Sequence, residues 1–170
     1  MSICFSGKII LNTTDVQRLL NPLYVFVGAH WLDNGNYINK MPDFYDRGVW
    51  ELGWEREKEK YNIEIDSLNR GDILVVKRLN GIGQTTMKII ALGIVVGFPT
   101  LYDEKRTTVY VSWSIPRTDF DIPLKLIGTM GKLKELSKLE EGTLKDYIEK
   151  CRARFLSQNL QPIVHNLYQG

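Results

Sequence analysis

The sequence predicts a single α+β domain in which a curved, mostly antiparallel sheet or small open barrel is flanked by helices. Its 170 residues suit one domain, and 44% hydrophobic with 25% charged residues is the balance of a globular protein with a substantial core. Strand-like segments joined by short turns fill the middle of the chain, and helical patterns stand nearer its ends. We therefore expect residues 1–170 to form one domain, strand-rich over residues 23–115 and helical over residues 132–158.

The first elements are marked by a helix cap, a proline and an apolar run. Thr14 begins a capping-box pattern, and Pro22 ends this helix because proline cannot continue it. Residues 23–29 are rich in valine and aromatic side chains, which favours a strand. Residues 32–42 are polar and rich in glycine and asparagine, and they predict a loop.

A short helix and an aromatic segment follow this loop. Asp43 can cap a helix of one or two turns that reaches Arg47 and is closed by Gly48. Residues 49–54 form an aromatic segment. Gly48 just before it and Gly53 within it favour a loop over a helix.

Alternating apolar residues then predict a series of strands with short connections. Trp113 shares one side of its strand with valines, whereas Tyr110 and Ser112 point to the other side. The predicted elements are a turn at residues 69–72, a strand at 73–79, a hairpin loop at 80–83, a strand at 85–96 with a bulge at Gly93, and a strand at 107–115.

The last third of the chain predicts helices. Leucines spaced by three within residues 132–139 predict a short amphipathic helix. Thr143 with Asp146 forms a second capping-box pattern. The helix behind it would place five apolar residues on one face, namely Leu144, Tyr147, Ile148, Cys151 and Phe155.

Charge is distributed unevenly although the net charge is only +2. Residues 1–75 carry 8 basic and 11 acidic side chains, whereas residues 76–170 carry 14 basic and 9 acidic ones. A basic half can meet a polyanion, but the same pattern also arises from ordinary scatter over a surface. The chain has no signal-peptide pattern and no apolar run that could span a bilayer, and its two cysteines favour free thiols. We expect a cytoplasmic protein without a membrane partner.

Catalytic patterns are sparse. The two histidines and two cysteines lack metal-ligand spacing, and no nucleophile elbow, dinucleotide fingerprint or phosphate loop is complete. A small metal-dependent nuclease would use Asp43, Asp103 and Lys105, but a helix cap and a charged turn are the favoured interpretation of these residues. We therefore predict no catalytic residue, metal or cofactor.

Tryptophans are the most distinctive residues of the chain. Trp31, Trp50 and Trp54 lie within 24 positions, and aromatic residues also occur between them, among them Phe44. Such side chains can wall a pocket for a flat heterocycle, and each stacked base is worth about 1–3 kcal/mol. They can equally fill the core where a loop covers the end of a barrel, and for Trp113 the core is the favoured interpretation.

An ordered series of short motifs resembles one known family. The first motifs are Phe26-Val27-Gly28-Ala29-His30-Trp31 and the run from Asp43 to Trp54, DFYDRGVWELGW. The later ones are SLNRGDILVVK from Ser67, MKIIALG from Met87 and VYVSW from Val109. Together they resemble the N-terminal recognition domain of Mcr-type, modification-dependent restriction ATPases, which belongs to the EVE/YTH group of PUA-like folds.

The resemblance implies a curved, barrel-like sheet that holds a flipped, modified base in an aromatic pocket. The chain lacks the ATPase module of those proteins, so it would be a standalone reader or part of a longer protein. Two positions depart from the family pattern: Leu52 often corresponds to Asn there, and Trp54 to Tyr.

We therefore predict a non-enzymatic module that recognises a modified, methylated base in nucleic acid, with DNA favoured over RNA, in restriction or defence. An ATPase or nuclease effector of the same system would be a further partner. The predicted pocket residues are Ala29, His30, Trp31, Phe44, Trp50 and Trp54. The predicted contacts to the nucleic-acid backbone are Arg47, Lys77, Arg78, Lys88 and Lys132. The alternatives are the nuclease and a module whose aromatic loop docks a partner protein.

Overall fold

A computed structural model describes residues 13–33, 35–52, 66–81, 83–98, 108–115, 120–123, 131–133, 145–154 and 157. Over these ranges the chain is a mixed α+β structure with a sheet curled into a half-barrel. The helices are α1 (Thr13–Leu20) and α2 (Met41–Arg47), and residues 145–154 are also helical. The strands are β1 (Tyr24–Gly28), β2 (His30–Asp33), β3 (Asn36–Asn39), β4 (Val49–Glu51), β5 (Ile73–Leu79), β6 (Thr86–Gly97), β7 (Thr108–Ser114), β8 (Phe120–Pro123) and β9 (Gly131–Leu133).

The main sheet has the strand order β4-β7-β6-β5-β1-β9, and β8 also pairs with β6. The four central strands predicted from the sequence are β1, β5, β6 and β7, and they do share one mostly antiparallel sheet. The exception is the parallel pair β1–β5, because the chain between these strands crosses over through β2, β3, α2 and β4. This parallel pair places the carboxyl ends of β1 and β5 side by side.

Apolar residues are buried on both faces of the sheet, and one cluster lies on the face that meets α2 and β4. Valines and leucines that alternate along β1, β5 and β7 face α2 and β4 there. The residues of this cluster are Val25, Val27, Ala29, Met41, Phe44, Val49, Trp50, Leu68, Leu74, Val76, Ala91, Val95, Val109 and Val111. The predicted alternation of β7 is confirmed, since Val109 and Val111 are buried and Tyr110 and Ser112 are exposed.

The predicted loop over residues 32–42 is wrong. The chain forms the hairpin β2–β3, in which Gly35 takes a left-handed φ of 82°. The dipeptide Asn34-Gly35 is a signal for a two-residue hairpin turn. The glycine and asparagine residues that predicted a long loop therefore indicate a short turn between two strands.

Helix α2 begins three residues earlier than predicted, at Met41 with Lys40 at the N-cap position instead of Asp43. The side-chain oxygen of Asn39 accepts a hydrogen bond from the Met41 N–H at 3.0 Å, so Asn39 satisfies the first turn. The predicted end is confirmed: Gly48 adopts the left-handed conformation, with φ 63°.

The predicted bulge at Gly93 is also wrong. The register of β6 shifts at Ile90 against β5 and at Val96 against β7, whereas Gly93 pairs regularly with Leu74 and Trp113. A Cβ atom at Gly93 would lie 2.7 Å from Cε3 of Trp113 and closer still to Val111. Glycine is needed at this position because the indole of Trp113 packs against its backbone.

Residues 132 and 133, predicted to begin a helix, lie in β9 and pair with β1. The spacing of the leucines favoured a helix, but these residues pair with β1 and form an edge strand of the sheet. Residues 134–144 lie outside the described part.

The later helix is present over residues 145–154, where Ile148 is buried. The Ser114 hydroxyl lies 2.8 Å from the Tyr147 hydroxyl and 3.2 Å from the sulfur of Cys151, a free thiol.

In the described residues no helix has both the length and the apolarity to cross a membrane.

Candidate nucleic-acid interface

Three of the predicted pocket residues lie together in the core. Ala29 and Phe44 are fully buried, and Trp50 is 3% exposed. Trp50 lies in strand β4, not in the predicted loop, and its indole N–H donates to the Gly28 carbonyl at 3.0 Å. These three side chains form a packed layer beneath the end of β1, and stacking of Trp50 on a base stays a prediction.

Trp113 fixes the same layer from the other side. Its indole N–H is shared between the carbonyl oxygens of Phe44, at 3.0 Å, and Val49, at 3.2 Å. The two indoles therefore hold α2 and β4 between β1 and β7, which makes this part of the site rigid.

His30 stands directly above this layer, at the start of β2. It is half-buried, and burial together with the positive charge of Arg78 lowers the pKa of its imidazole. The imidazole is therefore neutral at pH 7, so it can donate one hydrogen bond and accept another. The backbone of Trp31 follows in β2, and Trp54 lies outside the described residues.

Arg78 and Lys88 form a row of positive charge at the end of β5. They are directly opposite each other across the β5–β6 pair, and Lys88 is also opposite Asp121 of β8. The bulge at Ile90 is responsible for this arrangement, because without the extra residue Lys88 would point to the other face. The two cations thus share the concave face with Val76, at the rim of the half-barrel and close to His30.

The other predicted backbone contacts are placed differently. Lys77 is buried on the opposite face of β5, and this burial lowers the pKa of its ammonium group to about 8. Arg47 bonds to the carboxylates of Asp43 at 2.9 Å and Glu51 at 2.8 Å, so its charge is compensated locally. The backbone of Lys132 pairs with Val25.

The residues of the nuclease alternative do not form a described site. Asp43 is exposed and bonds to Arg47, while Asp103 and Lys105 lie outside the described residues. Among the residues that the structure describes, no group of three histidine, cysteine or carboxylate side chains could hold a metal ion.

Sequence reasoning missed two features of this interface. It assigned Tyr37 to a loop, although the Asn34-Gly35 turn signal would have placed it on a strand. It also missed that Arg78 lies near His30, because the parallel pairing of β1 with β5 that brings them together is a long-range contact without a local signature in the sequence.

Comparison of the sequence with models of known protein families finds no match, and comparison with curated proteins finds none either.

Replacing Trp50 with Ala should lower the free energy of unfolding by about 3–5 kcal/mol, because a large buried ring and its hydrogen bond are lost. Trp50→Phe should cost less, since a ring still fills most of the space. Tyr45→Ala, at a residue that is 52% exposed, should change stability by less than about 0.5 kcal/mol. Urea unfolding of the three variants measures these differences. A Trp50→Ala variant as stable as the unmodified protein would contradict the placement of this ring in the core.

Burial of Lys77 makes stability depend on pH. Its pKa is about 8 in the folded chain against an ordinary value of 10.5, so above pH 8 the unfolded chain binds the additional proton. The free energy of unfolding should therefore rise between pH 8 and pH 10, by about 2–3 kcal/mol from this group. The rise should end near pH 10, because burial raises the pKa of Tyr24 in the folded chain. Above that pH the folded chain keeps a proton on Tyr24 that the unfolded chain loses, so this group lowers the free energy of unfolding as pH increases.

Lys77→Met removes the titrating group and keeps an apolar stem, so the rise between pH 8 and pH 10 should be smaller in this variant. Urea unfolding at several pH values compares the two slopes. Equal slopes would show that Lys77 keeps an ordinary pKa in the folded chain.

Proposed function

We propose that this chain is a non-enzymatic nucleic-acid-binding module that reads a modified base, as its resemblance to the EVE/YTH group implies. The curled α+β half-barrel is compatible with a PUA-like fold. The observation that supports the proposal most strongly is the row formed by Arg78 and Lys88 at the rim, beside the neutral imidazole of His30.

Like charges directly opposite each other on neighbouring strands destabilise a sheet. Asp121 lies opposite Lys88 on the other side of β6. Such a row is useful where a polyanion approaches, because phosphate contacts supply most of the affinity for nucleic acid. Arg78 and Lys88 are therefore the proposed phosphate contacts, in preference to the buried Lys77 and the ion-paired Arg47.

Phosphate contacts position a strand but do not read its bases. Reading falls to His30, whose neutral ring can pair with the edge of an extruded base. The packed layer of Ala29, Phe44 and Trp50 adjoins this residue and supports it. DNA in a restriction or defence system is the favoured ligand, with an ATPase or nuclease effector acting on what this module recognises.

The proposal is tested with a panel of methylated and unmethylated DNA and RNA oligonucleotides at several salt concentrations. For each phosphate contact removed, the slope of log affinity against log salt should become shallower by about 0.7–0.9. We expect this of Arg78→Gln and of Lys88→Gln, with affinity lost alike for modified and unmodified strands. Arg47→Gln is the matched control, because it removes one exposed positive charge that two carboxylates already compensate.

Binding that does not depend on salt, or an equal effect of all three substitutions, would contradict the proposed interface. Affinity that never distinguishes modified from unmodified strands would leave a nucleic-acid binder but remove base reading from the proposal.

A further inference from the structure

The β2–β3 hairpin is a separate two-stranded sheet next to the proposed interface. All four residues of β3 are exposed, and the side chain of Tyr37 is the most open large apolar group described, at 78% exposure. A tyrosine in this position does not contribute to the core, and its aromatic ring is presented to solvent.

The strand register places Tyr37 on the same face of the hairpin as His30. His30 pairs with Asn39, and Tyr37 is two residues before Asn39 on the neighbouring strand. Residues two apart in a strand face the same way and are about 7 Å apart along it. The hairpin therefore carries two rings on one face, with His30 beside Arg78 and Tyr37 farther out.

The base of the hairpin is fixed by hydrogen bonds. The Lys40 N–H donates to the Ala29 carbonyl at 2.7 Å, and the Asn39 side chain bonds to the first turn of α2. A tyrosine held on such a support loses little conformational freedom when a ligand stacks on it.

We propose that Tyr37 is a stacking platform for an unpaired base that neighbours the base held at His30. The inference rests on the proposed function and specifies its ligand as a single-stranded or locally unpaired stretch of nucleic acid. Stacking on an aromatic face is tolerant of sequence, since every base has such a face.

The surroundings of Tyr37 favour nucleic acid over a protein partner. On β3 its neighbours are the polar Asn36 and Asn39, while Ile38 lies on the opposite face of the hairpin, and on β2 its paired residue is Leu32. A protein-docking surface would need a broader apolar patch, whereas a single exposed ring on the same face as His30, which lies near Arg78, suits a base attached to phosphates.

The test uses the full chain and labelled single-stranded DNA of about 12 nucleotides, within the site size of comparable binders. One oligonucleotide carries 5-methylcytosine and a second carries N6-methyladenine, each also prepared with abasic sites on both sides of the modified base. Tyr37→Ala should weaken binding by a factor of about 5 to 150. Tyr37→Phe should bind like the unmodified chain, because it keeps the ring. Tyr45→Ala, at an exposed tyrosine on α2, is the matched control and should have no effect.

On the abasic oligonucleotides the protein without substitution and Tyr37→Ala should bind equally, because no neighbouring base remains to stack. If the two proteins also bind equally to the oligonucleotides with intact neighbouring bases, the platform is refuted while the proposed function stands. If the unmodified chain binds none of the oligonucleotides, the proposed function fails and the platform fails with it. Circular dichroism of the variants verifies that each is folded.

Discussion

The carboxylate of Asp72 is the interaction on which the arrangement of the sheet depends. It is fully buried and accepts hydrogen bonds from the Arg18 guanidinium at 2.5 and 3.2 Å, from the Leu23 N–H at 2.9 Å and from the Asn69 N–H at 2.8 Å. One side chain thus joins α1, the start of β1 and the turn before β5. A buried carboxylate is costly unless it is paired and hydrogen-bonded, so these segments are held together as a set. The consequence is the parallel pairing of β1 with β5, which brings His30 next to Arg78.

The sequence allowed the central strands to be predicted, because their alternation is local and their turns contain glycine in left-handed positions. Gly71, just before β5, and Gly83, between β5 and β6, are examples. The error over residues 32–42 was local, because the turn signal of Asn34-Gly35 was present in the sequence. The error at residues 132 and 133 arose from longer-range pairing, since leucine spacing could not show that Leu133 pairs with Tyr24 at a sheet edge. The bulge at Ile90 was also unpredictable, because it is defined by the pairing of β6 with β5 and the residue itself carries no bulge signal.

The candidate site was predictable in composition but only partly in position. Ala29, Phe44 and Trp50, predicted as pocket residues, lie together but are packed inside the core. The sequence could not show which of the lysines and arginines lie at the candidate interface, because all of them carry the same charge. The structure separates Lys77, which is buried, and Arg47, which is ion-paired, from Arg78 and Lys88 at the rim. Burial of Lys77 and ion pairing of Arg47 are properties of the folded chain, so a count of charges along the sequence cannot reveal them.

The central claim is that nucleic acid binds at the rim where β1 and β5 end and the β2–β3 hairpin begins. An NMR titration of the isotopically labelled chain with single-stranded DNA carrying 5-methylcytosine or N6-methyladenine maps the bound surface most directly. The account predicts that the perturbed backbone amides cluster at residues 28–30, 36–40 and 77–88. Perturbations confined to α2 and β4, around the ion pair between Arg47 and Asp43, would contradict it.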